Sequence, residues 1–228
     1  MKRKAAALGL GLLVLLLSGM SLFTKANADE AAVYNAEEMY ERAQSAVFYI
    51  RALNADDALK ATGTGVIISA DGLAATACHV LTEAARLEAV LSDGRAVSSI
   101  EVLGCDQETD AALLKLPAPD AGVEGNAAYP ALPIRDTAVK HGENVFALGY
   151  PMKDTPIITE GIINSPHAEI NGRGRILTSA QIVSGMSGGP LIDRYGRLAG
   201  IISGSLKTMN NIHLVIPVSD LQSLLPKQ

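Results

Sequence analysis

Gly185-Met186-Ser187-Gly188-Gly189-Pro190 sets a serine between glycines, immediately before an apolar run that reads as a buried strand. Glycines at such a turn let another chain approach the backbone closely and allow main-chain angles closed to other residues. The N–H groups of Gly185 and Ser187 are placed to point at one spot, where the oxygen of a tetrahedral intermediate would sit. An ordinary Gly-rich turn is the alternative for this segment alone. His79 stands at the end of an apolar strand in Thr76-Ala77-Cys78-His79-Val80, and Asp110 at the start of another in Asp110-Ala111-Ala112-Leu113-Leu114. Singly, each is better explained as a structural or turn residue. Taken together, the chain order His, Asp, Ser is one of those in which the nucleophile, base and orienting acid of acyl-transfer enzymes occur.

Such a triad needs a rigid frame, and the rest of the chain predicts one. Asn35 followed by Glu37 and Glu38 predicts a short N-terminal helix, with Asn35 as its cap and acids where they suit the dipole. Short strands are predicted at 47–51, 65–69, 73–77, 88–91, 96–103 and 111–116. They are separated by turn signals such as Asp71-Gly72 and Asp93-Gly94. Residues 117–140, rich in Pro, Gly and Ala, predict a linker. A second set of strands is predicted at 144–149, 157–163, 175–179, 189–192, 198–203 and 212–217, then a terminal helix capped by Ser219. Two sets of about six short strands with few helices point to an all-β fold of two antiparallel barrels, covering 29–116 and 141–228.

Composition narrows the function classes. Lys2, Arg3 and Lys4 precede a long apolar run free of acids, and Ala26-Asn27-Ala28 fits a small-x-small cleavage site, so residues 1–28 read as a signal peptide. An uncleaved anchor is the alternative, because the run approaches the ~18 to 20 residues that span a bilayer. Cleavage implies an exported chain, periplasmic or secreted, with no stable membrane insertion. Without Lys2, Arg3, Lys4 and Lys25 the net charge of −5 becomes −9, which argues against a nucleic-acid partner. Cys78 and Cys105 are too few for a zinc site, and no metal or cofactor is expected. Export favours a disulfide between them, as does the position of each within five residues of a triad member; two unpaired thiols are the alternative.

Several motifs in this order resemble the protease domain of the HtrA (DegP-like) family of trypsin-like serine peptidases. They are Thr62-Gly63-Thr64-Gly65, Ala77-Cys78-His79-Val80, Asp106 with Thr109-Asp110-Ala111-Ala112-Leu113-Leu114, Ala147-Leu148-Gly149-Tyr150-Pro151, Ser187-Gly188-Gly189-Pro190 and Gly200-Ile201-Ile202. The resemblance implies a trypsin-like double β-barrel and a serine endopeptidase acting on protein or peptide substrates. His79 would be the general base and then acid, Asp110 its orienting group and Ser187 the nucleophile. It leaves a homo-oligomer open, since family members are often trimers. A catalytically weak homologue that binds peptides as a chaperone or adaptor is the alternative. Met186 replaces the Asn or Asp usual before the nucleophile, and Cys78 replaces a commonly polar residue. No counterpart of the family's C-terminal PDZ domain is recognised, so peptide-driven regulation is not expected.

In this resemblance the pocket for the side chain before the cut bond is walled by Ala180 to Gly185 and by Ile201 to Ser205. The residues expected to shape it are Gln181, Ser203, Gly204, Ser205 and His213. With no acid in either wall, a small or medium apolar side chain is expected there. His213 is expected to face solvent; the alternative is that it narrows the pocket or, if protonated, favours an acidic side chain. His141 and His167 are expected to be solvated.

Overall fold

The structure is a computed structural model that describes residues 32–119, 128–206 and 208–225. The signal-peptide reading of 1–28 and part of the 117–140 segment lie outside the described residues. Helix α1 (Ala36–Ala43) starts as predicted. Asn35 accepts from the Glu38 N–H while the Glu38 side chain accepts from the Asn35 N–H, so two otherwise orphaned donors are satisfied reciprocally.

Seven strands follow: β1 (Val47–Leu53), β2 (Leu59–Ile67), β3 (Leu73–Ala77), β4 (Arg86–Val90), β5 (Ala96–Val97), β6 (Glu101–Cys105) and β7 (Ala111–Lys115). The single strand expected over 96–103 is two. Ser99, at φ +63, breaks the extended run between them. The antiparallel sheet has the order β5-β4-β1-β2-β3-β7-β6, so this half is barrel-like rather than closed by hydrogen bonds. A one-turn helix, α2 (Cys78–Leu81), follows β3 and carries His79.

The second set is β8 (Asn144–Met152), β9 (Thr155–Ile170), β10 (Arg173–Thr178), β11 (Pro190–Asp193), β12 (Leu198–Ser205) and β13 (His213–Pro217). These close into a barrel in the order β10-β13-β12-β11-β8-β9. Helix α3 (Val218–Leu224) begins directly at the end of β13. Its N-cap is Pro217 rather than Ser219, because extended Pro217, with φ −61 and ψ 148, turns the chain into the helix two residues early.

Strand alternation explains how the two halves stay together. Side chains on one strand point to opposite faces. Val145, Ala147, Ile202 and Val215 fill the closed barrel, while their neighbours Phe146, Leu148, Ile201 and Ile216 join the core shared with the first sheet. Each such Val, Leu, Ile or Phe side chain buried contributes about 1.5–3 kcal/mol. The contact between the sheets is thus a continuous core and not a sliding surface. The stretch after 128 reinforces it: the N–H groups of Tyr129 and Leu132 donate to Ala70 and Ile67 of the first half. The Arg135 N–H donates to Leu198 of the second.

Cys78 and Cys105 are joined by a disulfide, their Cα atoms 5.2 Å apart. The bridge fastens the edge strand β6 to α2 beside His79. A cross-link closing a loop of this length adds about 3–4 kcal/mol in the chain-entropy model. We expect mass spectrometry of the oxidised protein to find no thiol open to alkylation until a reductant is added. Two alkylatable thiols without reduction would contradict the bridge.

Candidate active site

Asp106 opens the segment that delivers the acid. Its carboxylate accepts from the N–H groups of Glu108 and Thr109, an Asx turn that also holds its pKa below the usual carboxylate range. The chain then passes through Asp110 at φ +68, a left-handed conformation that Asp tolerates better than most residues. From there the Asp110 carbonyl accepts from the Cys78 N–H at 2.7 Å, while its carboxylate accepts from the His79 N–H at 3.0 Å. Asp110 therefore anchors the first turn of α2 as well as the ring that α2 carries.

The His79 ring meets that carboxylate through Nδ1, at 3.0 and 2.9 Å from its two oxygens. A hydroxyl from the other half reaches it too: Ser203 Oγ donates to Asp110 Oδ2 at 2.7 Å. Asp110 is 5% exposed, and burial works to raise its pKa. The hydrogen bonds and charge of His79, with the Ser203 hydroxyl, outweigh burial, and the net shift is downward. A lowered folded-state pKa means that the stabilisation is present above the unfolded carboxyl value. It is lost as pH falls through the lower folded value. With Nδ1–H committed to Asp110, the basic lone pair of neutral His79 is on Nε2, and the half-exposed ring presents it to the surface.

Ser187 lies in the turn between Ala180 and β11. Its Oγ donates to the Ser203 carbonyl at 3.2 Å, and no hydrogen bond joins it to His79. All three residues singled out in the sequence are thus tied through Ser203, with His79 and Asp110 in direct contact and Ser187 one residue's hydrogen bonds away. Two glycines fix the turn. Gly188, at φ +87, would drive a Cβ to 2.2 Å from the Thr64 carbonyl, and Gly185, at φ +93, to 2.7 Å from Pro151 Cα. Among the described residues nothing accepts from the N–H of Gly185 or Ser187, whereas those of Met186 and Gly188 donate to Val183 and Ile202. Two uncommitted donors, two positions apart in one turn, are what the expected oxyanion site requires.

Thr64, quoted in a motif but given no role from sequence, clamps this turn. Fully buried on β2, it donates through Oγ1 to the Gly185 carbonyl at 2.8 Å, and the same oxygen accepts from the Tyr150 N–H at 2.9 Å. Its own N–H donates to the Ser187 carbonyl at 2.8 Å. Thr76 Oγ1 in turn donates to the Thr64 carbonyl. The signal available in the sequence was a threonine flanked by glycines inside an apolar strand, a hydroxyl that needs a buried partner.

The expected pocket walls do meet, since Ser205 Oγ lies 3.3 Å from the Ile182 carbonyl. Gln181 is exposed and donates to Asn211; Gly204 is half-buried and faces open space where a Cβ would stand. His213 does not face solvent as expected: it is 5% exposed, because the start of β13 turns it the same way as Val215, into the barrel. Burial pushes its pKa down. His141 and His167 are exposed, as expected. Cavities of about 750 and 260 Å³, lined by residues such as Arg135, Val139 and Ala138, lie apart from Ser187.

Residues 63–201 match the family model of the trypsin-like peptidase domain. The chain is similar to serine endoprotease DegS of Escherichia coli, with 33% identity over 172 residues, covering 72% of this chain and 46% of that one. Serine protease HTRA1 of Xenopus laevis is 33% identical over 165 residues, covering 69% and 34%. A crystal structure of the serine endoprotease from Yersinia pestis superposes with a TM-score of 0.71 at 30% identity, covering 84% of this chain and 65% of that one. This chain spans about half the length, or less, of the curated relatives it matches. With the barrel topology, these matches make the chain a member of the trypsin-like peptidase family, related to the HtrA and DegS serine proteases.

Proposed function

We propose that the protein is an exported serine endopeptidase that cleaves peptide bonds through His79, Asp110 and Ser187. The observation that supports this most strongly is the Asp110 carboxylate, shared by His79 Nδ1 and Ser203 Oγ. That arrangement fixes the tautomer that leaves His79 Nε2 free to accept a proton. Ser187 Oγ attacks the carbonyl carbon of the substrate as its proton passes to His79. The oxygen of the tetrahedral intermediate is held by the N–H groups of Gly185 and Ser187. His79 then gives the proton to the departing amine, and water, activated by the same imidazole, hydrolyses the acyl-Ser187 ester. Asp110 stays ionised and stabilises the imidazolium.

Before attack, Ser187 Oγ must turn from the Ser203 carbonyl towards His79, giving up one hydrogen bond worth about 0.5–1.5 kcal/mol. That resting bond is also the one observation favouring a second reading, a homologue that binds peptides without cutting them. A fluorophosphonate probe, which reacts only with an activated serine, separates the two. Export is supported by the charge and hydropathy of residues 1–28 and by the disulfide. Among the described residues, no helix is long and apolar enough to cross a membrane.

Ser187→Ala should lower kcat/KM at least ~10³-fold without loss of fold by circular dichroism. A folded variant that cleaves at the wild-type rate would overturn the assignment. A general base must accept the Ser187 proton, so His79→Ala should lower kcat/KM on the same scale while the fold is retained. A folded His79→Ala variant that cleaves at the wild-type rate would count against His79.

Thr64→Val keeps the side-chain volume but leaves the Gly185 carbonyl and the Tyr150 N–H without their buried partner. We expect a loss of about 1–3 kcal/mol in urea unfolding, with kcat falling more than KM changes. Unaltered stability together with unaltered kcat would remove Thr64 from the positioning of the site.

A further inference from the structure

His213, at the start of β13, pairs with Ser205 at the end of β12. Its Nδ1 is 2.8 Å from Ser205 Oγ, and that oxygen is 3.3 Å from the carbonyl of Ile182, five residues before Ser187. Two residues back along β12, Ser203 receives the Ser187 hydroxyl. The imidazole thus belongs to the wall that runs away from the nucleophile. Its Nε2 is fully buried and has no hydrogen-bond partner among the described residues.

Counting protons fixes what that nitrogen offers. A serine hydroxyl donates once. If His213 donates from Nδ1 to Ser205 Oγ, the hydroxyl is free to donate to the Ile182 carbonyl, and every polar atom of the relay is paired except Nε2. In the opposite tautomer Ser205 donates to Nδ1, and the Ile182 carbonyl, which accepts from no other described donor, is orphaned as well. The first arrangement wins by one hydrogen bond. Burial favours the neutral ring. Nε2 is then a bare acceptor, closed off from water, on a ring that Ser205 ties to the wall at Ile182, five residues before the proposed nucleophile. A buried acceptor without a partner is destabilising, and a ligand group that donates to it would relieve that.

We propose that the His213–Ser205 pair is a specificity determinant that selects, at the residue before the cut bond, an uncharged side chain bearing a hydrogen-bond donor, an amide or a hydroxyl, over its aliphatic counterpart. This rests on the endopeptidase reading above and replaces the plain apolar preference expected from sequence, which took His213 to be solvated. An aliphatic side chain leaves Nε2 unpaired, and a carboxylate sets lone pairs against a lone pair. Lys or Arg would bring a charge between walls, Ala180–Gly185 and Ile201–Ser205, that hold no acid.

The test is a set of fluorogenic peptides differing only at that residue, in the isosteric pairs Thr with Val, Asn with Leu, and Gln with Glu. The donor member of the best-cleaved pair should show kcat/KM about 10-fold or more above its counterpart, the discrimination expected when a buried polar group would otherwise be unpaired. His213→Ala should abolish that advantage by raising cleavage of the aliphatic peptide, while fluorophosphonate labelling of Ser187 is retained. Ser205 is exposed, so Ser205→Ala tests the relay without disturbing the core. It frees the ring to take either tautomer, and the Gln-to-Glu ratio should fall. Wild-type protein that labels normally yet cleaves the aliphatic members equally well overturns the proposal. So does a donor preference that survives in both variants. Wild-type protein that neither labels nor cleaves any peptide would instead defeat the endopeptidase reading itself.

Discussion

A single buried carboxylate is held from both halves of the molecule. Asp110 sits at the start of β7 in the first sheet and accepts from His79 of the same half and from Ser203 of the closed barrel. Removing such a group from water is unfavourable unless hydrogen bonds replace its hydration. Here donors on two independent elements do so, so the charge persists only while the two sheets keep their register. The shared core of Phe146, Leu148, Ile201 and Ile216 against the first sheet supplies that register. The left-handed backbone at Asp110 is held by the same surroundings, with the Asx turn of Asp106 before it and the Cys78 N–H on its carbonyl.

A second set of bonds performs the corresponding task for Ser187, the proposed nucleophile. Thr64 comes from the first sheet, yet its hydroxyl and backbone fix the carbonyls of Gly185 and Ser187 in the second. With those carbonyls turned towards Thr64, the N–H groups of Gly185 and Ser187 have no acceptor among the described residues, while those of Met186 and Gly188 are bonded within the protein. Oxyanion donors that are fixed before substrate arrives need no reorganisation during reaction. The turn accommodates this geometry only because Gly185 and Gly188 carry no Cβ to strike Pro151 or the Thr64 carbonyl.

The parts of this arrangement that were legible in the sequence are those with local signatures. The Gly-flanked Ser187, the capped helix at Asn35, and the alternating runs separated by Asp-Gly turns each follow from a few neighbouring residues. Features that depend on residues far apart in the chain were not legible. Nothing near Thr64 says that its partners are 86 and 121 positions away. Ser203 was expected in the pocket wall, and pattern alone does not reveal that its hydroxyl reaches Asp110, 93 residues distant. His213 is expected in solvent from sequence, as the blander reading of a histidine near the strand that closes the pocket. Whether it faces in or out depends on the register of β13 against β12, which shifts between Ile202 and Gly204. The break between β5 and β6 and the early start of α3 at Pro217 were missed for a smaller reason: one residue's backbone angle decided each.

The most direct test of the central claim is the rate of fluorophosphonate labelling of Asp110→Asn, measured beside its thermal unfolding. The substitution keeps the size of the side chain but offers His79 an amide that stabilises the wrong tautomer. If the Asp110 carboxylate sets the basicity of His79 Nε2, labelling of Ser187 should slow by about 10⁴-fold in a protein that still unfolds cooperatively. Labelling at the wild-type rate in the folded variant would contradict the account.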